Sequence, residues 1–176
     1  GARFANLGFN AGTPWEQTQI ARLFGTPASL MLAAIEGGSR GFAFASGLAA
    51  EDTLMRAVLQ PGDHMIIPTD AYGGTFRLVD QVVKRWGVDY SLAKVGQADA
   101  IRGEIRPGVT KLIWIETPTN PLLGIADIAA VAQVAHEVGA LLVVDNTFAS
   151  SYLQQPLALG ADVVMHSTTK YAGGHS

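Results

Sequence analysis

The feature that most restricts the fold of this chain is a series of short, wholly apolar runs, each closed by a polar residue or a turn. They read Met65-Ile66-Ile67, Leu112-Ile113-Trp114-Ile115, Leu141-Leu142-Val143-Val144 and Val163-Val164-Met165. A strand without polar-apolar alternation is buried on both faces, which is the habit of parallel sheets covered by helices. Between the runs the pattern turns helical, as in Thr75–Trp86, where Phe76, Val79, Val82 and Val83 fall on one face. Strands are predicted at residues 41–45, 64–68, 88–92, 111–116, 140–145 and 162–166. Helices are predicted at residues 29–36, 48–59, 75–86, 98–105, 125–138 and 153–159. Residues 29–36 would turn Leu30, Met31 and Ala34 inward and stop at Gly37-Gly38. Upstream, Asn10-Ala11-Gly12-Thr13-Pro14 is turn chemistry, and Gln17–Phe24 makes a short helix stopped by Gly25-Thr26-Pro27. The expected architecture is three-layer α/β around a mostly parallel sheet.

Composition narrows what such a domain does. The 176 residues suffice for one domain with a core, and 48% are apolar against 15% charged. A net charge of −3 without a Lys/Arg cluster argues against a nucleic-acid partner. No run approaches the length of a membrane helix, so no membrane partner is expected. Absence of cysteine removes disulfides and thiolate metal sites and agrees with a cytoplasmic location. The four histidines, His64, His136, His166 and His175, are too scattered for a metal site. There is no G-x-G-x-x-G after a first strand, no P-loop and no G-x-S-x-G elbow.

In folds of this class ligands bind at the carboxyl ends of the strands. Five strand ends carry useful groups: Ser46-Gly47, Tyr72, Glu116 to Asn120, Asp145, and Ser167 to Lys170. Ser46-Gly47-Leu48 opens a helix whose amides suit a phosphate, although a plain N-cap serine reads the same way. Tyr72 can stack on a planar ring or simply cover the sheet edge. Pro118 and Pro121 stiffen the loop that presents Asn120. Asp145, after four apolar residues, needs a cationic partner unless it caps the next segment. Lys170 follows three hydroxyls, as a surface lysine, a phosphate counter-ion or a Schiff-base amine. An acid on one strand end and a lysine on the next suit a cofactor with a phosphate and a basic ring nitrogen, a description that pyridoxal 5'-phosphate fits.

Five segments occur in a familiar order: Ala45-Ser46-Gly47-Leu48-Ala49-Ala50, Asp70-Ala71-Tyr72-Gly73-Gly74-Thr75, Glu116-Thr117-Pro118-Thr119-Asn120-Pro121, Asp145-Asn146-Thr147-Phe148, and His166 through Ser176. Over about residues 31–176 the chain resembles the pyridoxal-phosphate-dependent enzymes of cysteine and methionine metabolism. The resemblance implies the large domain of the aspartate-aminotransferase-like fold, C-terminally incomplete and without the small C-terminal domain. Residues 1–30 form an arm shortened relative to the family. It further implies that Lys170 is the Schiff-base lysine and proton shuttle, that Asp145 pairs with the ring nitrogen, and that Tyr72 stacks on the ring and assists proton transfer. Ser46, the amides of Gly47 and Leu48, and the hydroxyls of Ser167 and Thr169 would hold the phosphate, with Thr147 among the cofactor contacts. Asn120 would meet the ring oxygen and Glu116 would shape the substrate pocket. Arg22 would echo a family arginine that reaches a neighbouring subunit's phosphate, in a segment where Ile20 stands in place of tyrosine.

The stretch Tyr72-Gly73-Gly74-Thr75-Phe76-Arg77 resembles the cystathionine gamma-synthase and gamma-lyase branch. Implied are a homotetramer and gamma-replacement on an O-acylhomoserine by cysteine to give cystathionine. The alternatives are cystathionine lysis, homoserine-ester sulfhydrylation, or a non-catalytic binding or assembly fragment.

Overall fold

A computed structural model describes residues 4–8 and 31–174. Among the described residues, seven strands form one sheet: β1 (Phe4–Gly8), β2 (Arg40–Phe44), β3 (His64–Pro68), β4 (Asp89–Ala93), β5 (Thr110–Glu116), β6 (Leu141–Asp145) and β7 (Val163–Ser167). Their order is β2-β1-β7-β6-β5-β3-β4, and every neighbouring pair is parallel. Six of them lie within one residue of the predicted runs. The seventh, β1, was not expected, because its sequence carries no continuous apolar run. The helix expected at residues 17–24 lies outside the described residues.

The helices are α1 (residues 31–36), α2 (Gly47–Val58), α3 (Gly73–Leu78), α4 (Ala98–Gly103), α5 (Ile128–Glu137) and α6 (Ser150–Leu153). Alternation along each strand sends side chains to two cores. On one face Ile113, Ile115, Leu142, Val144 and Val164 pack with Leu32 of α1, Ile101 of α4 and Val131 of α5. On the other, Leu112, Trp114, Val143 and Met165 pack with Ala50 and Met55 of α2 and with Val79 and Val83. Double coverage is why the strands read as continuous apolar runs. Asp127 caps α5 by accepting a hydrogen bond from Ala130 N at 3.0 Å.

Three details depart from the sequence reading. Helix α1 buries Leu32, Ala33 and Glu36 and leaves Met31 62% exposed, the reverse of the expected face. The cause is polar: Glu36 Oε1 accepts from Asn146 Nδ2 at 3.0 Å, Ser151 Oγ at 2.6 Å and His166 Nε2 at 2.5 Å, and this fixes the helix rotation. The helix beginning at Gly73 continues through Trp86, but Val79–Val83 is wound as a π-turn and Lys84–Trp86 as 3₁₀. The change of pitch swings Val82 outward while Val79 and Val83 stay buried. Finally, the helix expected at residues 153–159 forms one turn earlier, as α6. Pro156 offers no amide for a helix there, and Gln154 is extended, its side chain donating to Thr117 O and Asn146 Oδ1 at 2.9 Å each. Leu157 then drops fully into the core.

Candidate active site

The carboxyl ends of β3, β5, β6 and β7 and the start of α2 surround a pocket of about 180 Å³. Its wall contains Ser46, Gly47, Leu48, Tyr72, Glu116, Asn120, Asp145, Thr147, Ser167, Thr169 and Lys170. Every candidate residue read from the sequence is therefore in one place except Arg22, which lies outside the described residues. Glu51, Pro118, Phe148 and Met165 complete the wall and were not anticipated.

A chain of hydrogen bonds ties the β6 and β7 ends together. Thr147 N donates to Asp145 Oδ1 at 2.9 Å, and Ser167 N donates to Thr147 Oγ1 at 2.8 Å. The Ser167 and Thr169 hydroxyls lie 2.9 Å apart, and Lys170 Nζ donates to Thr169 Oγ1 at 3.1 Å. Acid, hydroxyls and amine thus form one connected strip, with Lys170 at its exposed end.

Helix α2 supplies the opposite wall. Ser46 is its N-cap, its hydroxyl accepting from Ala49 N at 3.1 Å, so this serine both caps the helix and lines the pocket. The first intrahelical bond runs from Ala50 N to Ser46 O, which leaves the amides of Gly47 and Leu48 before it to meet an anion. A Cβ on Gly47 would stand 3.2 Å from Ser167 Cβ and 3.4 Å from Ser167 Oγ. Glycine is what lets the helix start close against the hydroxyl strip.

Tyr72 is held by its backbone. Its N–H donates to Glu116 Oε1 at 2.8 Å and Oε2 at 2.9 Å, and the Asn120 amide donates to the same carboxylate. The ring leans over Gly74, where a Cβ would come within 2.4 Å of Tyr72 Cε1. The loop after β5 is pinned by Gly124 N to Thr119 Oγ1 at 2.8 Å and Ala126 N to Thr117 Oγ1 at 3.0 Å. Phe148 meets the Tyr171 ring edge-on at 6.1 Å.

The electrostatics of the pocket are lopsided. Burial, and next the charge of Asp145, push the Glu116 carboxyl from 4.5 up to about 8. The same two causes push Glu51 up to about 8. Burial also raises Asp145, against hydrogen bonds from Thr147 and the more distant charges of His166 and Lys170. Glu51 Oε2 is buried without any hydrogen-bond partner. None of the three carboxyl groups around the pocket is ion-paired among the described residues, and among them no group of His, Cys, Asp or Glu is arranged to hold a metal. An organic cation with an anionic tail meets both needs. Its positive nitrogen would answer the acids, and its phosphate would lie between the α2 amides and the Ser167–Thr169 hydroxyls. The residues present fit pyridoxal phosphate.

A parallel α/β domain with an amine, an acid and open helix amides beside a strip of hydroxyls at its strand ends has the make-up of a cofactor-dependent enzyme domain of the pyridoxal-phosphate type. The family described as Cys/Met metabolism PLP-dependent enzyme matches residues 27–176, and the chain belongs to that family. It is 60% identical over 145 residues to the cystathionine gamma-synthase of Mycobacterium bovis, covering 82% of this chain and 37% of that protein. It is 44% identical over 164 residues to the cystathionine gamma-lyase of Bacillus subtilis, covering 93% of this chain and 43% of the relative. Among solved structures, metB from Corynebacterium glutamicum superposes with a TM-score of 0.82 at 56% identity, over 84% of this chain and 38% of that one. The chain thus spans well under half the length of these relatives.

Proposed function

We propose that the full protein containing this chain carries out gamma-replacement, joining an O-acylhomoserine to cysteine to give cystathionine, and that this chain supplies its pyridoxal-phosphate domain. Support for the class comes from the convergence of Lys170, Asp145 and Tyr72 on one pocket with the Gly47–Ser167 cradle. Support for the reaction comes from the 60% identity to a cystathionine gamma-synthase, against 44% to a gamma-lyase.

When bound, pyridoxal phosphate supplies an electron sink that stabilises negative charge next to a substrate amine. In this reading the protein's own groups do the rest. The Gly47 and Leu48 amides with the Ser167 and Thr169 hydroxyls hold the phosphate, and Ser46 and Thr147 keep the two sides of that cradle in place. Asp145 keeps the ring nitrogen protonated, Asn120 meets the ring oxygen, and Tyr72 covers the ring face. The Lys170 amine, at the mouth of the pocket, takes and returns the proton at the substrate's reacting carbons. Glu116 fixes Tyr72 and Asn120 from behind. Arg22 is proposed to serve the phosphate of a neighbouring subunit in a homotetramer, and the protein to work in the cytoplasm. Among the described residues no helix is long and apolar enough to cross a membrane.

Borohydride treatment of the pyridoxal-phosphate-loaded full-length protein should attach the cofactor's mass to the Lys170 peptide; attachment elsewhere overturns the site. Product analysis then decides the reaction. O-succinylhomoserine plus cysteine should give cystathionine faster than cystathionine alone is cleaved, and the opposite order makes the protein a lyase.

A further inference from the structure

The pocket carries one more acid than its proposed chemistry uses. Glu51 lies four residues after Gly47, so both fall on the side of α2 that faces the sheet. Glu51 lines the same pocket as Asp145 and is only 2% exposed, and its Oε2 has no partner. Its neighbours on α2, Ala50 and Met55, are core residues. A carboxylate in such a setting is costly unless it keeps its proton or finds a cation. The ionisable groups facing it come from several elements. Asp145 of β6 and Glu116 of β5 are both acids that raise its proton affinity. Lys170, after β7, lines the same pocket from its exposed mouth. Tyr72 stands at the pocket wall just before α3, and the buried Thr75 hydroxyl of α3 opposes the acids by favouring the ionised form of the Glu51 carboxyl. β1 contributes no ionisable residue, and Arg40 sits at the far end of β2. Asp52 and Arg56 of α2 are exposed and paired with each other at 2.9 Å.

We propose that Glu51 is a further cofactor-binding residue of the pocket, which keeps its proton in the cofactor-free protein and gives it up to solvent when the protonated ring nitrogen of pyridoxal phosphate enters opposite Asp145. The inference rests on the pyridoxal-phosphate reading of the pocket. Charge balances at the acid cluster, since one positive charge arrives on the ring as one proton leaves, while the phosphate is met separately by the α2 amides and the hydroxyls. With its carboxyl at about 8, Glu51 is protonated at neutral pH and available for this exchange.

Proton counting tests this directly. Calorimetric titration of pyridoxal phosphate into the cofactor-free full-length protein, repeated in buffers of different ionisation enthalpy, gives the protons released per site. Wild type should release up to about one proton more than E51Q at pH 7, and the difference should vanish near pH ~9.5, where Glu51 is already ionised. E51M, apolar and similar in volume, should match E51Q and stands in for it if the amide does not fold. Visible absorbance reports uptake of the cofactor independently of protons. Uptake with equal proton counts in wild type and variants overturns the role of Glu51 and leaves the pocket reading intact. No uptake by wild type overturns both. A purely structural Glu51 would change stability while leaving the proton count alone.

Discussion

The acids around the pocket make the cofactor-free protein less stable as pH rises, and Glu116 allows the effect to be sized. Its carboxyl is 3% exposed and titrates at about 8 in the fold, against 4.5 when free. Between those values the native protein retains a proton that the unfolded chain has released. Folding then takes up a proton, and stability falls with rising pH. At about 1.4 kcal/mol per pH unit the whole gap is worth about 5 kcal/mol. That is a ceiling, because part of the rise comes from the charge of Asp145, and Glu116 in turn raises Glu51, so the groups do not titrate independently. A loss of about 2–3 kcal/mol assignable to Glu116 alone is the working figure. It is present in full below pH 4.5 as stability and is gone above about pH 8.

Glu116→Gln removes the titration. Its side chain can still offer one oxygen to Tyr72 N, but the amide nitrogen replaces the second acceptor, a cost of about 1 kcal/mol at every pH. Urea unfolding of the cofactor-free full-length protein from pH 5 to 9 should therefore give two profiles that cross. Wild type is the more stable near pH 5, and the variant is equal or better near pH 9. With pyridoxal phosphate bound, a cation answers the acids and the wild-type profile flattens. A Glu116→Gln profile parallel to wild type throughout would refute the reasoning, since the slope would then belong to other groups.

Further expectations follow from single contacts. Gly47→Ala places a Cβ 3.2 Å from Ser167 Cβ and forces the cradle apart, so pyridoxal phosphate should bind roughly tenfold more weakly in an absorbance titration, as fits the loss of about one hydrogen bond to a charged group. The melting temperature should barely move, because alanine is the better helix former. Asp127→Ala removes the α5 cap and should cost about 1 kcal/mol in urea unfolding without touching cofactor affinity. His64 is wholly buried between the Thr110 hydroxyl at 2.8 Å and the Ser91 hydroxyl at 3.1 Å, and burial, with Arg106 next, holds its pKa below 6.5. It contributes stability above pH 6.5 that is lost as pH falls further, and His64→Gln should flatten that acid limb of the unfolding profile.

How much was legible depends on the element that carries each residue. A polar group closing an apolar strand stands out, because the strand has already declared that its surroundings are dry. Asp145 after Leu141–Val144 and Glu116 after Leu112–Ile115 announced themselves in this way. Helical positions give no such signal. Glu51 stands in a helix with Asp52 beside it and Arg56 four residues beyond Asp52, and nothing local says which acid faces water. The same blindness misplaced α1, whose rotation is set by Glu36 reaching Asn146, Ser151 and His166, partners more than a hundred residues away. Strand β1 escaped for a related reason, since its place between β2 and β7 is set by pairing with segments far along the chain. One inference was nonetheless within reach. Once Gly47 is assigned to a phosphate cradle facing the sheet, helical geometry obliges the residue four positions on to face the sheet as well. That residue is Glu51, and an acid pointed at a dry strand end requires either a proton or a cation.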